Sequence, residues 1–208
     1  MQHVTLLPPS TMHLFGQYFS PLETAGALTT VLAIWLTVKE NWLCFPIGIV
    51  SSLIYAFVFF DPAVRFYSDA FLQLFYVLLL VYGWIHWTSG KKKSEAIHVT
   101  VLTAQQRILL AAVTLAAALL LGFLLKTHTP ASLPYLDALT TCMSLAAQWM
   151  VARKKIENWM IWIVANVIYV FMYIQKELFI TAVLYFVLLI LAVAGWKEWK
   201  KHLAGATS

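Results

Sequence analysis

Charged side chains are scarce in this sequence. Asp, Glu, Lys and Arg together make up 11% of the 208 residues, whereas hydrophobic residues make up 62%. That balance lies outside the range of soluble globular domains and inside the range of membrane proteins with several spans. The chain is therefore predicted to be an integral membrane protein whose main surroundings are the lipid bilayer.

Residues that could carry catalysis or bind a metal are also few. The two cysteines, Cys44 and Cys142, lie in apolar stretches, so neither a disulfide nor a cysteine-based metal site is expected. The six histidines lie outside these stretches or at their ends, without the paired spacing of metal ligands. The sequence contains no glycine-rich phosphate loop, Walker lysine or GxSxG motif. We expect no enzymatic activity, no cofactor and no energy-coupling site within this chain.

Seven long apolar stretches are what the sequence does contain. Each has the length, about 17 to 25 residues, that crosses a hydrocarbon core of roughly 30 Å. The runs lack the alternation of a membrane β-barrel, so helices that satisfy their own backbone hydrogen bonds are expected. The predicted fold class is all-α with seven transmembrane helices. The predicted spans are 22–38, 43–60, 67–87, 106–125, 135–152, 158–175 and 178–196.

Lysine and arginine are distributed unevenly about these spans. Of the 14, all but Arg65, Lys126 and Lys176 fall on one side of the predicted membrane. The positive-inside rule places the basic side in the cytoplasm. The amino terminus is then expected outside and the carboxyl terminus inside. This distribution explains the net charge of +5 without a nucleic-acid partner.

The two ends of the chain resemble each other. The run WLTVKENW at 35–42 matches WMVARKKIENW at 149–159 if the second copy has three extra residues in its turn, and YGWIHW at 82–87 matches AGWKEW at 194–199. Each half then holds three spans, and the odd fourth span makes the two copies parallel, a plan used by some transporters. The predicted segments are an extracytoplasmic segment 1–21, repeat one 22–87, a linker with the fourth helix 88–134, repeat two 135–199 and a cytoplasmic tail 200–208.

Polar and aromatic side chains fall on one face of the sixth span. Polar groups inside a span are costly and turn toward a bundle interior or a cavity. Rings beside amides, without a buried lysine or arginine, suit a flat, polar, neutral or cationic ring compound. The residues of this face, spaced three or four apart, are Asn158, Trp162, Asn166, Tyr169 and Tyr173. The candidate substrate-binding residues on all spans are Trp162, Asn166, Gln73, Gln148, Tyr76, Tyr169, Asn158, Asn41, Ser144 and Tyr185.

Each polar residue has a second interpretation, since a lone Asn, Gln or Ser in a membrane helix often hydrogen-bonds a neighbouring helix. On that hypothesis the protein is a structural scaffold, and Trp162→Ala alters stability without changing ligand binding. An intramembrane enzyme is a third hypothesis, but Gln148, Asp137 or a terminal histidine would need a partner that the sequence does not show. The aligned faces and the repeat favour transport.

Most tryptophans lie near the ends of the predicted spans. An aromatic belt at the membrane interface is the default explanation for such residues. It predicts that Trp199→Ala changes little, whereas Trp162 lies deeper and is expected to contact substrate. The tryptophans near span ends are Trp42, Trp84, Trp87, Trp159, Trp196 and Trp199.

Three features together resemble the Pnu family of bacterial vitamin transporters. They are ENWxxWxxxN at 157–166, YGWxxW at 82–87 with Gln73 nine residues before its tyrosine, and the 3 + 1 + 3 parallel repeat. The family's architecture is similar to that of the sugar-transporting SWEET proteins. The resemblance covers nearly the whole chain beyond residue 20.

The resemblance implies facilitated diffusion of an unphosphorylated vitamin across the bacterial inner membrane by alternating access. A cytoplasmic vitamin kinase would trap the product by adding phosphate. Gln73, Trp162 and Asn166 match the family's substrate-contacting pattern by position.

The sequence also departs from the riboside-type pattern of this family. Leu80, Leu184 and Ala194 occupy places where a riboside transporter can carry Asn, Glu and Asn, and Gly48 replaces an Asn. Fewer partners for ribose hydroxyls favour thiamine as the substrate. Nicotinamide riboside is the alternative, followed by riboflavin or a sugar.

Overall fold

The computed structural model describes residues 12–14, 17–19, 21–60, 67–92, 98–129, 133–175 and 179–205. The described residues form seven α-helices, which confirms the predicted all-α architecture, and every helix overlaps its predicted span. The helices are α1 (Pro21–Val38), α2 (Cys44–Phe60), α3 (Tyr67–Lys92), α4 (Ala104–His128), α5 (Pro134–Ala152), α6 (Glu157–Gln175) and α7 (Phe179–Gly205).

A short hairpin precedes the helices. Strands β1 (Met12–Leu14) and β2 (Gln17–Phe19) pair antiparallel. It lies within the segment 1–21, for which the sequence predicts no helix; a three-residue strand is too short to produce a readable alternation.

Within the described part of the chain, five helices are long and apolar enough to cross a membrane by length and hydropathy alone: α1, α3, α4, α6 and α7. Helix α2 is strongly apolar but has only 17 residues. Helix α5 has sufficient length, but several polar residues reduce its hydropathy. Of these, Thr140 and Ser144 are buried, so α5 turns polar side chains toward the bundle interior.

Local chemistry explains where α4 and α5 begin. Helix α4 opens with a capping box, in which Thr103 Oγ1 accepts a hydrogen bond from the Gln106 amide and Gln106 Oε1 accepts one from the Thr103 amide. Helix α5 opens on Pro134, whose missing N–H costs nothing in the first turn. The linker helix α4 is thus an independently capped element that packs on α5.

The helices pack as two groups of three. In the first group α2 lies between α1 and α3, and in the second group α6 lies between α5 and α7. The groups meet through two pairs, α1 with α7 and α3 with α5. In a parallel repeat, α1 is equivalent to α5 and α3 is equivalent to α7. The α1–α7 pair is then equivalent to the α5–α3 pair, as a two-fold axis between the repeats requires. We call the end of the bundle that carries the α1–α2 and α5–α6 turns the basic end.

The α1–α2 and α5–α6 turns share one backbone pattern. Glu40 and Lys154 both adopt the left-handed conformation, with φ of 52° and 49°. The Glu40 amide donates to Thr37 O and the Lys154 amide donates to Val151 O, each at 3.0 Å. The neighbouring amides repeat the pattern at the same offset. The three-residue insertion inferred from the letters ENW is therefore wrong, because the backbone pairs Glu40 with Lys154 instead of Glu157.

Glu157 has a different role from Glu40. Its Oε1 accepts a hydrogen bond from the Leu102 amide at 2.9 Å and pairs with Arg107 at 3.0 Å. These contacts fix the start of α4 against the start of α6. The connector before α4 also bonds the α5–α6 turn directly, since the Thr100 amide donates to Lys154 O at 3.0 Å.

Aligning Glu40 with Lys154 changes which residues of α2 and α6 occupy equivalent positions in the two repeats. Gly48 now pairs with Trp162, and Ser52 pairs with Asn166. The second repeat therefore contributes large or amide side chains where the first contributes small ones. The middle helix of the second repeat, α6, is therefore the one that carries the larger and more polar side chains at these positions.

Three of the end-of-span tryptophans belong to the protein core. Trp87, Trp159 and Trp199 are at most 5% exposed, and Trp199 is fully buried. Trp159 and Trp199 meet edge to face at 5.4 Å between ring centroids. Gly195 makes this packing possible, because a Cβ there would lie 2.5 Å from the Trp159 ring. The interface-belt prediction is wrong for these three, since position along a helix does not report which way a side chain points.

Candidate functional site

Asn166 lies in the middle of α6 with its side chain turned into the bundle. It is 3% exposed, and its Oδ1 has no hydrogen-bond partner among the described residues. An unpaired buried acceptor costs about 1–3 kcal/mol, so such atoms are rare in folded proteins. The position therefore suits an acceptor that a bound molecule satisfies.

Tyr169 follows Asn166 by three residues on the same face of α6, and its ring packs with those of Tyr173 on α6 and Tyr185 on α7. The centroids of Tyr169 and Tyr185 are 4.6 Å apart, those of Tyr173 and Tyr185 are 5.1 Å apart, and those of Tyr169 and Tyr173 are 6.2 Å apart. Sequence reasoning placed Tyr173 on this face but did not select it as a candidate. We call these three residues the tyrosine cluster. Its ring faces offer the negative potential that attracts a cation.

Helices α3 and α5 add two hydroxyls to the site. Tyr76 interacts electrostatically with Tyr169 and Ser144, and Tyr185 interacts with Tyr76. Ser144 Oγ is buried and makes no hydrogen bond of normal geometry with the described residues. Four helices therefore converge at one level of the bundle, which the sequence could not show because they are far apart along the chain.

Gln73, Gln148 and Trp162 extend this region along the bundle. Gln73 precedes Tyr76 by three residues on α3, and Gln148 follows Ser144 by four on α5, so each shares a helix face with a residue of the site. Both glutamines are half-buried. Trp162 lies one turn from Asn166 toward the basic end, where it is half-buried against the hydrophobic core.

Two other candidates lie apart from this region at the basic end, Asn41 in the α1–α2 turn and Asn158 in the first turn of α6. Asn41 Oδ1 accepts a hydrogen bond from the Leu43 amide at 3.0 Å, just before α2 begins. Asn158 is fully buried, and its Nδ2 donates to Lys155 O at 2.6 Å. These contacts shape the turns, but Asn158 Oδ1 is also buried without a hydrogen-bond partner among the described residues. Because Asn158 lies about two helical turns from Asn166 and Asn41 lies outside the helices, both are left out of the proposed site.

The departures that favoured thiamine involve positions with other roles. Leu80 is buried in the hydrophobic core at the basic end. It fills the space beside Gly48, where a Cβ would lie 3.0 Å from the leucine side chain. Ala194 is exposed. Leu80 and Gly48 are thus explained by helix packing, and Ala194 does not face the bundle interior, so these positions do not bear on the number of hydroxyls in the substrate.

The described residues include no group of three or more His, Cys, Asp or Glu side chains that could hold a metal ion. The sequences of α5 and α6 contain no lysine or arginine. The described residues of the site offer amides, hydroxyls and aromatic rings, and none of them carries a fixed charge. Such a set binds by hydrogen bonding, stacking and cation–π attraction.

The family of nicotinamide mononucleotide transporters is described by a sequence profile that matches residues 20–201. The chain belongs to this family. The resemblance to Pnu transporters drawn from its motifs is thereby confirmed, and the protein is a multi-pass membrane protein of a vitamin-transporter family.

Among its relatives within the Pnu family is the nicotinamide riboside transporter PnuC of Escherichia coli, which is 23% identical over 88% of this chain and 87% of the relative. PnuC of Haemophilus influenzae is 25% identical over 90% of this chain and 93% of the relative. A crystal structure of the vitamin B3 transporter PnuC has the same fold, with a TM-score of 0.68 and 24% identity over 88% of this chain and 82% of the other.

Proposed function

We propose that this Pnu-family protein carries nicotinamide riboside across the membrane by facilitated diffusion. The curated relatives described above bear the name of that activity. This proposal replaces thiamine with the substrate that was its alternative, because two of the departures that favoured thiamine fall on a core residue, Leu80, and an exposed residue, Ala194.

The observation that carries the proposal is the unpaired, buried Oδ1 of Asn166 beside the tyrosine cluster. Nicotinamide riboside is a flat pyridinium cation with a carboxamide and ribose hydroxyls. Its N–H and O–H groups are donors for the Asn166 acceptor, and its ring charge suits the tyrosine faces. The hydroxyls of Tyr76 and Ser144 supply further partners.

The charge of the site favours the riboside over the phosphorylated mononucleotide. A phosphate is bound in proteins mainly by arginine, lysine or a helix amino terminus. Helices α5 and α6 supply no basic side chain at this level. A nucleotide entering the site would lose the hydration of its phosphate without gaining a cationic partner.

Direction must then come from outside the carrier. A protein that binds its ligand from either side without an energy source can only equilibrate the two compartments. We propose that a cytoplasmic kinase removes the free riboside by phosphorylation, since the phosphorylated product is unsuited to the site. The carrier itself needs no second substrate.

The test is uptake of radiolabelled nicotinamide riboside into liposomes that contain only this protein. We expect saturable uptake that stops at equal concentrations inside and outside. Enclosing riboside kinase and ATP should drive accumulation of label beyond that point. Excess unlabelled riboside should compete, whereas the mononucleotide should not. Uptake of thiamine without uptake of riboside would contradict the proposal, and the empty-liposome signal is the control.

A further inference from the structure

Contacts between the two repeats concentrate at the basic end. Lys154 Nζ, from the α5–α6 turn, donates to Glu40 Oε2, from the α1–α2 turn, at 2.6 Å. Both side chains are largely buried, at 11% and 15% exposure. Glu40 Oε1 also pairs with Nδ1 of His202 on α7. Glu40 is thus held by two groups of the second repeat.

Two tryptophans cross the same boundary in opposite directions. The indole N–H of Trp87, in the first repeat, donates to Val151 O at 3.3 Å in the second. The indole N–H of Trp199, in the second repeat, donates to Thr37 O at 3.1 Å in the first. Val151 and Thr37 hold equivalent positions in the two turns. The bonds are therefore related by the same two-fold exchange as the helices.

This cluster lies at the basic end of the bundle, on the side of Trp162 that faces away from Asn166. Trp162 of the site packs against a hydrophobic core that includes Trp87, Trp159 and Trp199. Lys154 Nζ lies 4.5 Å from the Trp87 ring centroid, which joins the ion pair to the rings. The ring centroids of Trp87 and Trp199 are 6.1 Å apart. A ligand leaving the site toward the basic end would have to pass this layer.

We propose that Glu40, Lys154, Trp87 and Trp199 form the gate that closes the site toward the basic end, and that the gate opens when the two repeats rotate apart. The inference rests on the proposed transport function. Rocking of the repeats about an axis in the membrane plane would separate all these contacts together, because each of them joins one repeat to the other. Polar contacts suit such a seam, since water can replace each of them when it opens.

A second observation points to another arrangement of the cluster. Trp159 Nε1 is buried and has no hydrogen-bond partner among the described residues. A layer with a purely structural role is expected to satisfy its buried donors. A gate that opens and closes can provide a partner for the Trp159 indole N–H in its open arrangement.

Cys44 provides a native reporter for the gate. It is the first residue of α2, is 3% exposed, and belongs to the same core as Trp87 and Trp199. The purified full-length protein is treated with a maleimide, and modification of the Cys44 peptide is followed over time by mass spectrometry. We expect Glu40→Gln to label on the order of tenfold faster than the wild type, because its gate opens more often. No substrate is needed, so failure of the transport proposal would not affect this measurement.

Lys201→Gln is the matched control. It removes an ion pair with Glu198 that lies within α7 and does not join the repeats, so its labelling rate should equal that of the wild type. Exchanging the charges, Glu40→Lys with Lys154→Glu, should slow labelling again. If Glu40→Gln does not fold, Glu40→Asp shortens the same side chain while keeping its charge and should also label faster. Wild-type labelling rates in a folded Glu40 variant would overturn the gate.

Discussion

Glu40 and Lys154 hold equivalent positions in the two repeats and form an ion pair with each other. Each is the left-handed residue of its turn, and the pair therefore spans the boundary that the two-fold relationship defines. Opposite charges at equivalent positions allow two copies of one turn to attract where identical residues would repel. This contact could arise only after the copies had diverged.

Replacing Asn166 should weaken riboside binding without unfolding the protein. Asn166→Ala removes the buried acceptor, and we expect Kd to rise roughly fivefold to 150-fold, which corresponds to a cost of about 1–3 kcal/mol for one such contact. Val167→Ala, at an exposed neighbouring position on α6, is the matched control. Titration followed by tryptophan fluorescence measures both. Equal affinities in the two variants would show that the substrate does not contact this face.

Trp162→Ala should reduce riboside binding through loss of a stacking surface. An aromatic contact contributes about 0.5–1.5 kcal/mol beyond its buried area, so Trp162→Phe should keep most of the affinity that alanine loses. Met160→Ala, half-exposed on the same helix, serves as the control. Isothermal titration calorimetry avoids dependence on the deleted fluorophore. A variant that binds normally but melts earlier would favour a structural role for this ring.

Two substitutions at Tyr173 distinguish the contribution of the ring face to riboside binding from that of the hydroxyl. Tyr173→Phe keeps the ring stacked on Tyr185 and should bind the cationic riboside nearly as well as the wild type. Tyr173→Leu has no ring, and we expect Kd to rise roughly twofold to thirtyfold, in line with a cation–π contact of about 0.5–2 kcal/mol. The reverse order of affinities would mean that the hydroxyl makes the contact.

Trp199→Ala should destabilise the protein strongly, contrary to the interface-belt expectation. The fully buried ring packs on Trp159 and donates a hydrogen bond to Thr37, and removing such a ring from a core costs about 3–5 kcal/mol. Thermal unfolding in detergent, monitored by loss of the monodisperse peak, gives the comparison. Phe186→Ala, on the exposed side of α7, should shift the midpoint far less. Similar midpoints would indicate that Trp199 is not a core residue in the membrane.

The orientation of the chain remains a prediction from charge. The positive-inside rule places the basic end and the carboxyl terminus in the cytoplasm. A green fluorescent protein fused after residue 208 should therefore be fluorescent in bacterial cells. Alkaline phosphatase fused at the same point should be inactive, since it requires the periplasm to fold. An active phosphatase fusion would reverse the orientation and place the proposed gate on the outside.

Part of the site could be read from one helix alone. Asn166 and Tyr169 share a face of α6 because helical spacing puts them there, so periodicity was sufficient to select them. The positions of Leu80 and Ala194 were misjudged for the opposite reason. Whether a residue lines a site or packs a core depends on the neighbouring helix, and no spacing within its own helix reports that.

The sequence by itself determined the seven apolar helices, the membrane setting and the parallel repeat, because hydropathy and helix length act locally along the chain. Only the tertiary structure decided which tryptophans are buried, how the two turns align and which groups meet across the repeats. Those relationships depend on the rotation of each helix and on backbone hydrogen bonds in the turns. Glu40 is an example. The shared letters ENW align it with Glu157, whereas the backbone hydrogen bonds of the turns align it with Lys154, with which it forms an ion pair.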